Sequence, residues 1–409
     1  MISKYFSIYS IIFLGLIART IITIFYADIG IDNEWRVMLI NLYENGILSI
    51  RSVNGSPVPN LFMPPLYPIF LYGLKLVFLK NEIFMISIYT FHILFSLIAV
   101  YFFYLTVVLY FNKKLALLGT AIFCFFPLHI YSVSQISSIN LQVVCFSLFL
   151  YGLTYLLRYK KDLYLTIFSI TSGLLILLRG EFFIFYFFSV FFIYLKYKNF
   201  KKIILSIIVC LLVVSPYLIR NYKIFNVITI TKSGGYNLLK GNNPKSLVEG
   251  KAMMGSVREV VPEVKEKLDA IPFGEKYDLY FDQILLNQAI LFIKEDPIRY
   301  INLFLKKFVA FLIIDFNSTY PNYYSIFHII PKLILGLSTL ISISLYFRFK
   351  GGIYDYLVYF YFMNIGLFSI FFILPRYSLP LLPIQIMISL CLLKKYFNTN
   401  KKSDINLNI

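Results

Sequence analysis

Lys196-Tyr197-Lys198-Asn199-Phe200-Lys201-Lys202 leads into IILSIIVCLLVVSPYL, residues Ile203 to Leu218, and then into Ile219-Arg220-Asn221-Tyr222. A lysine cluster, an uncharged apolar run and a polar exit describe one crossing of a bilayer. Lys/Arg-rich short loops stay on the cytoplasmic side, and about 20 apolar residues cross the hydrocarbon. The same pattern recurs near Ile8–Tyr26, Ile83–Phe111, Leu115–Val133, Leu141–Leu157, Leu163–Leu178 and Phe182–Leu195. It returns near Ile326–Tyr346, Tyr354–Ile373 and Leu379–Leu393. The sequence therefore predicts an all-α polytopic membrane protein with about ten transmembrane helices, interfacial helices and a small extracytoplasmic helical loop region.

Composition agrees. Of 409 residues, 59% are hydrophobic and only 14% are charged, too little polar surface for a soluble chain of this length. The net charge of +18 does not point to nucleic acid. The cations sit in short runs between spans: Lys113-Lys114, Arg158 to Lys161, Lys196 to Lys202, Arg348 to Lys350, Lys394-Lys395 and Lys401-Lys402. With the N-terminus and Lys4 inside, every one of these runs falls on the cytoplasmic side. The first apolar run lacks a small-x-small cleavage site and reads as a retained helix. Cys124, Cys145, Cys210 and Cys391 all lie in apolar runs and read as packing residues. No CxxC or His/Cys ligand spacing occurs, and His92, His129 and His328 are scattered. A structural zinc site therefore has no support, no cofactor is certain, and a divalent metal is left open though nothing in the sequence supports one.

Two apolar stretches break the charge alternation if they are counted as spans. Leu66–Leu79 carries Lys75, with Lys80 next, and Ile298–Ile314 is interrupted by Lys306-Lys307. Both read as helices at the outer interface, their lysines snorkelling to water. The chain then divides into an N-terminal membrane module, 1–218, with a first outer loop at 27–82. An outer loop region, 219–324, and C-terminal helices with a cytoplasmic tail, 325–409, follow. Within the outer region Val257, Val260, Val261, Val264 and Leu268, then Tyr280, Ile284, Leu285 and Ala289, recur at helical spacing.

Only 20 acidic residues are present. Ten lie between Glu249 and Asp296 and read mostly as solvated helix faces. Asp32 and Glu34 stand apart, opening the amphipathic segment Asp32 to Asn45 in the first outer loop. One reading makes Asp32 a helix N-cap; the other makes it a general base for a hydroxyl nucleophile. Behind them, Met63-Pro64-Pro65-Leu66-Tyr67-Pro68 is stiff, because proline fixes φ and restricts the residue before it. Gly234-Gly235-Tyr236-Asn237 and Gly241-Asn242-Asn243-Pro244 supply turns and backbone donors. They follow no strand of a βαβ unit and make no nucleotide fingerprint. Arg19, Arg179, Arg220 and Arg376 fall near the outer ends of spans. Each reads either as interfacial snorkelling or as functional, and Glu181 is a partner for Arg179. Arg376 sits in the proline-bracketed break Leu374-Pro375-Arg376-Tyr377-Ser378-Leu379-Pro380, where a guanidinium can grip a phosphate.

Taken together these elements resemble the GT-C superfamily of bacterial membrane glycosyltransferases. The nearest branch is that of dolichyl-phosphate-mannose protein mannosyltransferases and lipid A aminoarabinose transferase. Asp32-Asn33-Glu34-Trp35 with Leu42 and Gly46 is similar to that family's first-loop pattern, and Pro64-Pro65-Leu66-Tyr67-Pro68 to its PPLYP element. Pro216-Tyr217-Leu218-Ile219-Arg220-Asn221-Tyr222, Gly234-Gly235-Tyr236-Asn237-Leu238 and Gly241-Asn242-Asn243-Pro244 resemble a third run. Pro375-Arg376-Tyr377-Ser378-Leu379-Pro380 resembles a fourth. The chain departs from the family in separating Asp32 from Glu34, in having no acid between Ser134 and Asn140, and in placing Trp35 at a usual Tyr position.

The resemblance implies inverting transfer of a sugar from a polyprenyl-phosphate donor to an acceptor hydroxyl on a glycan, lipid or protein. The enzyme would sit in the bacterial inner membrane with its active site extracytoplasmic. It implies Asp32 as general base, with Glu34 as rival, and Arg376, Arg220 and Arg19 on the donor phosphate. Trp35, Pro65, Tyr67, Tyr236, Asn237, Asn242 and Tyr377 would line the substrate cavity. A polymerase or ligase using lipid-linked sugars is the alternative. A transporter fits less well, because matched halves with broken helices at the bilayer midplane are missing.

Overall fold

A computed structural model describes residues 7–32, 34–53, 55–248, 261–272 and 274–398. Lys4, Asn33, Val257, Val260, Lys401 and Lys402, which entered the sequence reading, lie outside the described residues. The chain is a multi-pass, all-α membrane protein. Among the described residues seven helices are long and apolar enough to cross a bilayer, or up to eight if one bent pair is a single span.

In order, the helices are α1 (Ile8–Tyr26), α2 (Glu34–Asn45), α3 (Leu66–Val77), α4 (Asn81–Val108), α5 (Lys113–Phe125), α6 (Pro127–Tyr131) and α7 (Ile139–Tyr159). Next come α8 (Asp162–Leu178), α9 (Phe182–Tyr197), α10 (Phe200–Phe225), α11 (Gly234–Gly241), α12 (Lys265–Asp269) and α13 (Tyr277–Glu295). The last are α14 (Pro297–Leu312), α15 (Ile326–Ser344), α16 (Tyr346–Phe349), α17 (Gly352–Ile370) and α18 (Leu382–Asn398). A 3-10 turn, Pro375–Leu381, precedes α18. The bent pair is α5 with α6 and the turn after it, 51° apart at Phe126-Pro127; proline removes a helix donor and clashes with the preceding turn.

Polar residues mark the helix ends that the apolar runs leave open. Asn112 caps α5 by accepting from the Leu115 N–H at 3.0 Å, and Asn199 does the same for α10 from Lys202. Lys160, Lys198 and Asn226 end α7, α9 and α10 in the left-handed region. Short links therefore join α4 to α5, α7 to α8 and α9 to α10, and the bundle has two poles. One gathers Lys113, Lys160, Lys196, Lys202 and Lys394. The other gathers the ends of α1, α8, α10 and α17 with the loops that follow them. α7 is the hub: Val143, Phe149, Leu153 and Leu156 have no exposed surface.

The second pole carries a separate small core in which Leu239 of α11 packs with Val264, Leu268, Leu285 and Phe292. Val261, Val264 and Leu268 are buried as their spacing predicts, and so are Leu285 and Ala289, whereas Tyr280 faces outward, 52% exposed. The segment between α1 and α4 is not wholly helical. Arg51–Val53 and Ser56–Val58 pair as a short antiparallel hairpin, a feature that three-residue strands leave invisible to periodicity. Arg51 of this hairpin forms an ion pair with Asp278 of α13, and Asp278 also accepts from the Leu61 N–H at 2.7 Å. Asp278 is 3% exposed. Breaking a buried pair strands its partner and costs about 3 kcal/mol or more. Asp278→Ala is therefore expected to lower the melting temperature in detergent by several degrees, and an unchanged melt would sink this pair as the tie between the two loops.

Candidate active site

The site is built where the segment between α1 and α4 and the segment after α10 meet the Pro375–Leu381 turn. Glycine-rich residues 234–241 form α11 rather than an open loop. The N–H groups of Gly235 and Tyr236 both donate to the Asp282 carboxylate, at 2.7 and 3.2 Å. Asp282 is the cap of α11, so these donors are not left for a ligand. Burial raises the Asp282 pKa, and the two N–H groups and Lys232 oppose that shift. At the far end of α11, the Lys307 ammonium donates to the carbonyls of Gly241 and Phe371, each at 2.7 Å, and to Asn242 Oδ1 at 3.2 Å. Phe371 closes α17 just before the Arg376 turn, so Lys307 ties the two segments together.

That placement corrects three expectations. Lys307 does not snorkel; it is fully buried, while Lys306 is exposed and Lys75 half-buried. Asp278 and Asp282 are not solvated helix faces but buried ties. Asn242 does not line a cavity: it is 4% exposed, and its amide donates to Leu238 and Ile370 carbonyls.

The cations separate. Lys240 of α11 lies over the Phe372 ring at 4.4 Å. Burial lowers its pKa, the positive charge of Arg376 lowers it further, and Glu34 opposes both. Glu34 also acts on Tyr236, whose hydroxyl burial raises first and the charges of Glu34 and Tyr377 raise further. Glu34, Lys240, Arg376, Tyr236 and Tyr377 thus share one electrostatic neighbourhood. Among the described residues, Glu34 and Arg376 are exposed and have neither hydrogen bond nor ion pair. Asp32 is exposed as well. Because α2 begins at Glu34, the cap position falls on Asn33, outside the described residues, and Asp32 stands one residue before it.

Arg220 and Arg19 are elsewhere. Arg220 donates to the Asn60 carbonyl at 3.2 Å and to Asn221 at 2.8 Å, stacked on Tyr217 and Phe225. It fastens the segment between α1 and α4 to α10. Arg19 has no exposed surface and is spent inside the bundle on Ser96 at 2.7 Å, the Gly15 carbonyl at 3.2 Å, and Cys124 and His129. A phosphate cannot reach it without opening α1, α4 and α5. Trp35, Pro65 and Tyr67 are buried too: Tyr67 is 1% exposed, sharing a 3.2 Å hydrogen bond with His92 and an edge contact with Trp35. They pack α2 and α3 against α4 instead of lining a cavity.

Beside the cation pair lies a cavity of about 520 Å³ between α8, α9, α10 and α17. Its apolar lining includes Ile176, Phe187, Leu211, Val214 and Leu367, and its polar lining includes Arg179, Glu181, Thr231, Ser233, Asn237 and Tyr377. Arg179 bonds Glu181 at 2.6 Å and lies 4.6 Å from the Tyr377 ring centroid, as its sequence neighbour suggested. No group of metal-ligating side chains occurs among the described residues. Sequence reading missed Lys240 and the pair Asp278 and Asp282. For the aspartates a signal existed: with Leu285 and Ala289 they fall on one face of a helix. No family model, curated protein or solved structure matches the chain.

Proposed function

We propose that the protein is a GT-C-type membrane glycosyltransferase that moves a sugar from a polyprenyl-phosphate donor to an acceptor hydroxyl. The observation that carries this reading is the electrostatic proximity of Lys240 and Arg376 beside an apolar cavity that Phe372, under the Lys240 ammonium, and Tyr377 help to line. Two neighbouring cations without an ion-pair partner among the described residues suit a phosphate, and the apolar slot suits the isoprenoid behind it. Glu34, whose charge acts on Lys240, and Asp32, exposed two residues before it, would be the carboxylates that take a proton from the acceptor. Lys240 and Arg376 would hold the leaving phosphate and spread its developing charge.

In this reading α8 and α9, 17 and 16 residues long, also cross the membrane, tilting little; with the seven long helices and the bent pair they make ten spans. The lysine-rich pole is then cytoplasmic and the candidate site extracytoplasmic, in the inner membrane of a bacterium. The test is binding of a polyprenyl phosphate to the purified chain. Lys240→Gln and Arg376→Gln should each weaken it by about tenfold or more, the worth of a charge-assisted bond. Binding at parental affinity in the double variant would sink the assignment. Arg19→Met that still binds would support removing Arg19 from the phosphate site.

A further inference from the structure

At the opposite pole four helix ends converge on a second cavity of about 130 Å³. They are the C-terminal ends of α4, α7 and α9 and the N-terminal end of α17. Tyr110, Lys160, Lys196, Tyr197 and Gly352 line it, and no carboxylate does among the described residues. Its volume accommodates several water-sized groups, enough for a phosphoryl group.

Three features of the lining fit an anion. Tyr110 is 8% exposed, and its hydroxyl is buried with no hydrogen-bond partner among the described residues. A buried hydroxyl without a partner is costly and calls for a ligand or water. Gly352 begins the 19-residue helix α17, whose first N–H groups have no partner within the helix and carry partial positive charge. Lys160 and Lys196 stand at the mouth, their ammonium groups over the rings of Tyr197 and Phe192 at 5.5 and 5.9 Å.

The carbonyls that would repel an anion there are already engaged. The Leu156 carbonyl accepts from the Tyr197 hydroxyl. The Lys160 carbonyl accepts from Lys202 at 2.7 Å, and the Tyr110 carbonyl from Lys394 at 3.1 Å. The nearby acids are engaged as well: Asp355 with Gly351 and Tyr346, and Asp162 with Lys202.

We infer that this cavity is a binding site for a phosphoryl group, such as the headgroup of an anionic phospholipid of the adjoining leaflet. Lys160 and Lys196 would draw the headgroup in, the Tyr110 hydroxyl would donate to a phosphate oxygen, and the α17 N-terminus would complete the cradle. Basic pockets between membrane helices select anionic lipids in this way.

The experiment uses the full chain in a neutral detergent, with retained lipid counted by native mass spectrometry. Phosphatidylglycerol, phosphatidylcholine and inorganic phosphate are compared. The expected result is one tightly retained phosphatidylglycerol and no comparable phosphatidylcholine. Tyr110→Phe, which keeps the ring and its packing, should weaken retention by about fivefold, the worth of one hydrogen bond. Lys160→Asn with Lys196→Gln should weaken it by about tenfold or more; asparagine tolerates the left-handed backbone at position 160. Displacement of the lipid by millimolar inorganic phosphate, or binding of phosphate alone, would assign the same chemistry to a soluble phosphate. Equal retention of phosphatidylcholine, or parental affinity in either variant, would overturn the inference.

Discussion

Glu34→Gln is expected to lose sugar transfer by about 10²- to 10⁴-fold, the range that a positioned base supplies, while binding polyprenyl phosphate as the parent does. Glu34 opens α2 and is held over the site by Trp35, which is buried against Tyr67 at 5.1 Å between ring centroids. The negative charge of Glu34 acts on Lys240 and Tyr236. It therefore lies in the electrostatic neighbourhood of the proposed phosphate seat, where a base for the acceptor hydroxyl would be needed. Asp32 is exposed two residues earlier in the same segment, and the sequence alone puts it first. The pair is separated by measuring Asp32→Asn beside Glu34→Gln, with labelled sugar followed into membrane glycans. Loss confined to Asp32→Asn transfers the role to Asp32. Full transfer in both variants removes general-base catalysis by this segment. Because neither carboxylate has a hydrogen bond or ion pair among the described residues, both variants should melt close to the parent, which keeps the readout free of folding effects.

How much of this could be read from the chain follows from what periodicity and charge can encode. Apolar runs bounded by lysines place the long helices to within a few residues, because the bilayer fixes the length of a span. They do not say which polar side chains turn inward at the poles. Lys306 and Lys307 look alike in sequence, yet the apolar face of α14 turns only Lys307 onto the ends of α11 and α17. Tyr67 sits in a motif that reads as a cavity wall, but its hydroxyl reaches His92 on α4, a contact set by packing between separate helices. Arg19 looks like an interfacial arginine by position, and only the 110-residue separation to His129, closed by tertiary folding, shows where its guanidinium goes. Arg376 and Tyr377 were legible because prolines on both sides announce a break in the span. Lys240 was not, since nothing local marks the lysine directly before Gly241-Asn242-Asn243-Pro244 as a neighbour of residue 376.

Gly241→Ala is expected to cost about 3 kcal/mol or more in stability. A Cβ at Gly241 would stand 2.0 Å from the Phe371 carbonyl oxygen and 3.0 Å from the Lys307 ammonium. The first obstacle is backbone, so relief requires α11 to back away from α17, which overpacking penalties of this kind reflect. Moving α11 also pulls the Lys307 bonds apart and carries Lys240 away from Arg376, so polyprenyl-phosphate binding should weaken with stability. The same joint makes stability depend on pH. Burial lowers the Lys307 pKa to about 7 from its ordinary value of 10.5. Between those values the unfolded chain holds a proton that the folded chain has released, so stability rises with pH across that window. Below about pH 7 both states are protonated and the penalty for the buried charge is complete, on the order of 4 kcal/mol. A neutral amine still has two N–H groups for the Gly241 and Phe371 carbonyls, so the tie survives deprotonation. The melting temperature of the parent should therefore climb from pH 7 toward pH 10, and Lys307→Met should flatten that rise while lowering the alkaline plateau through the carbonyls it leaves without a donor. A parent whose melt is level across this range, or a Gly241→Ala variant that melts with the parent, would show that α11 and α17 are not held together at this joint.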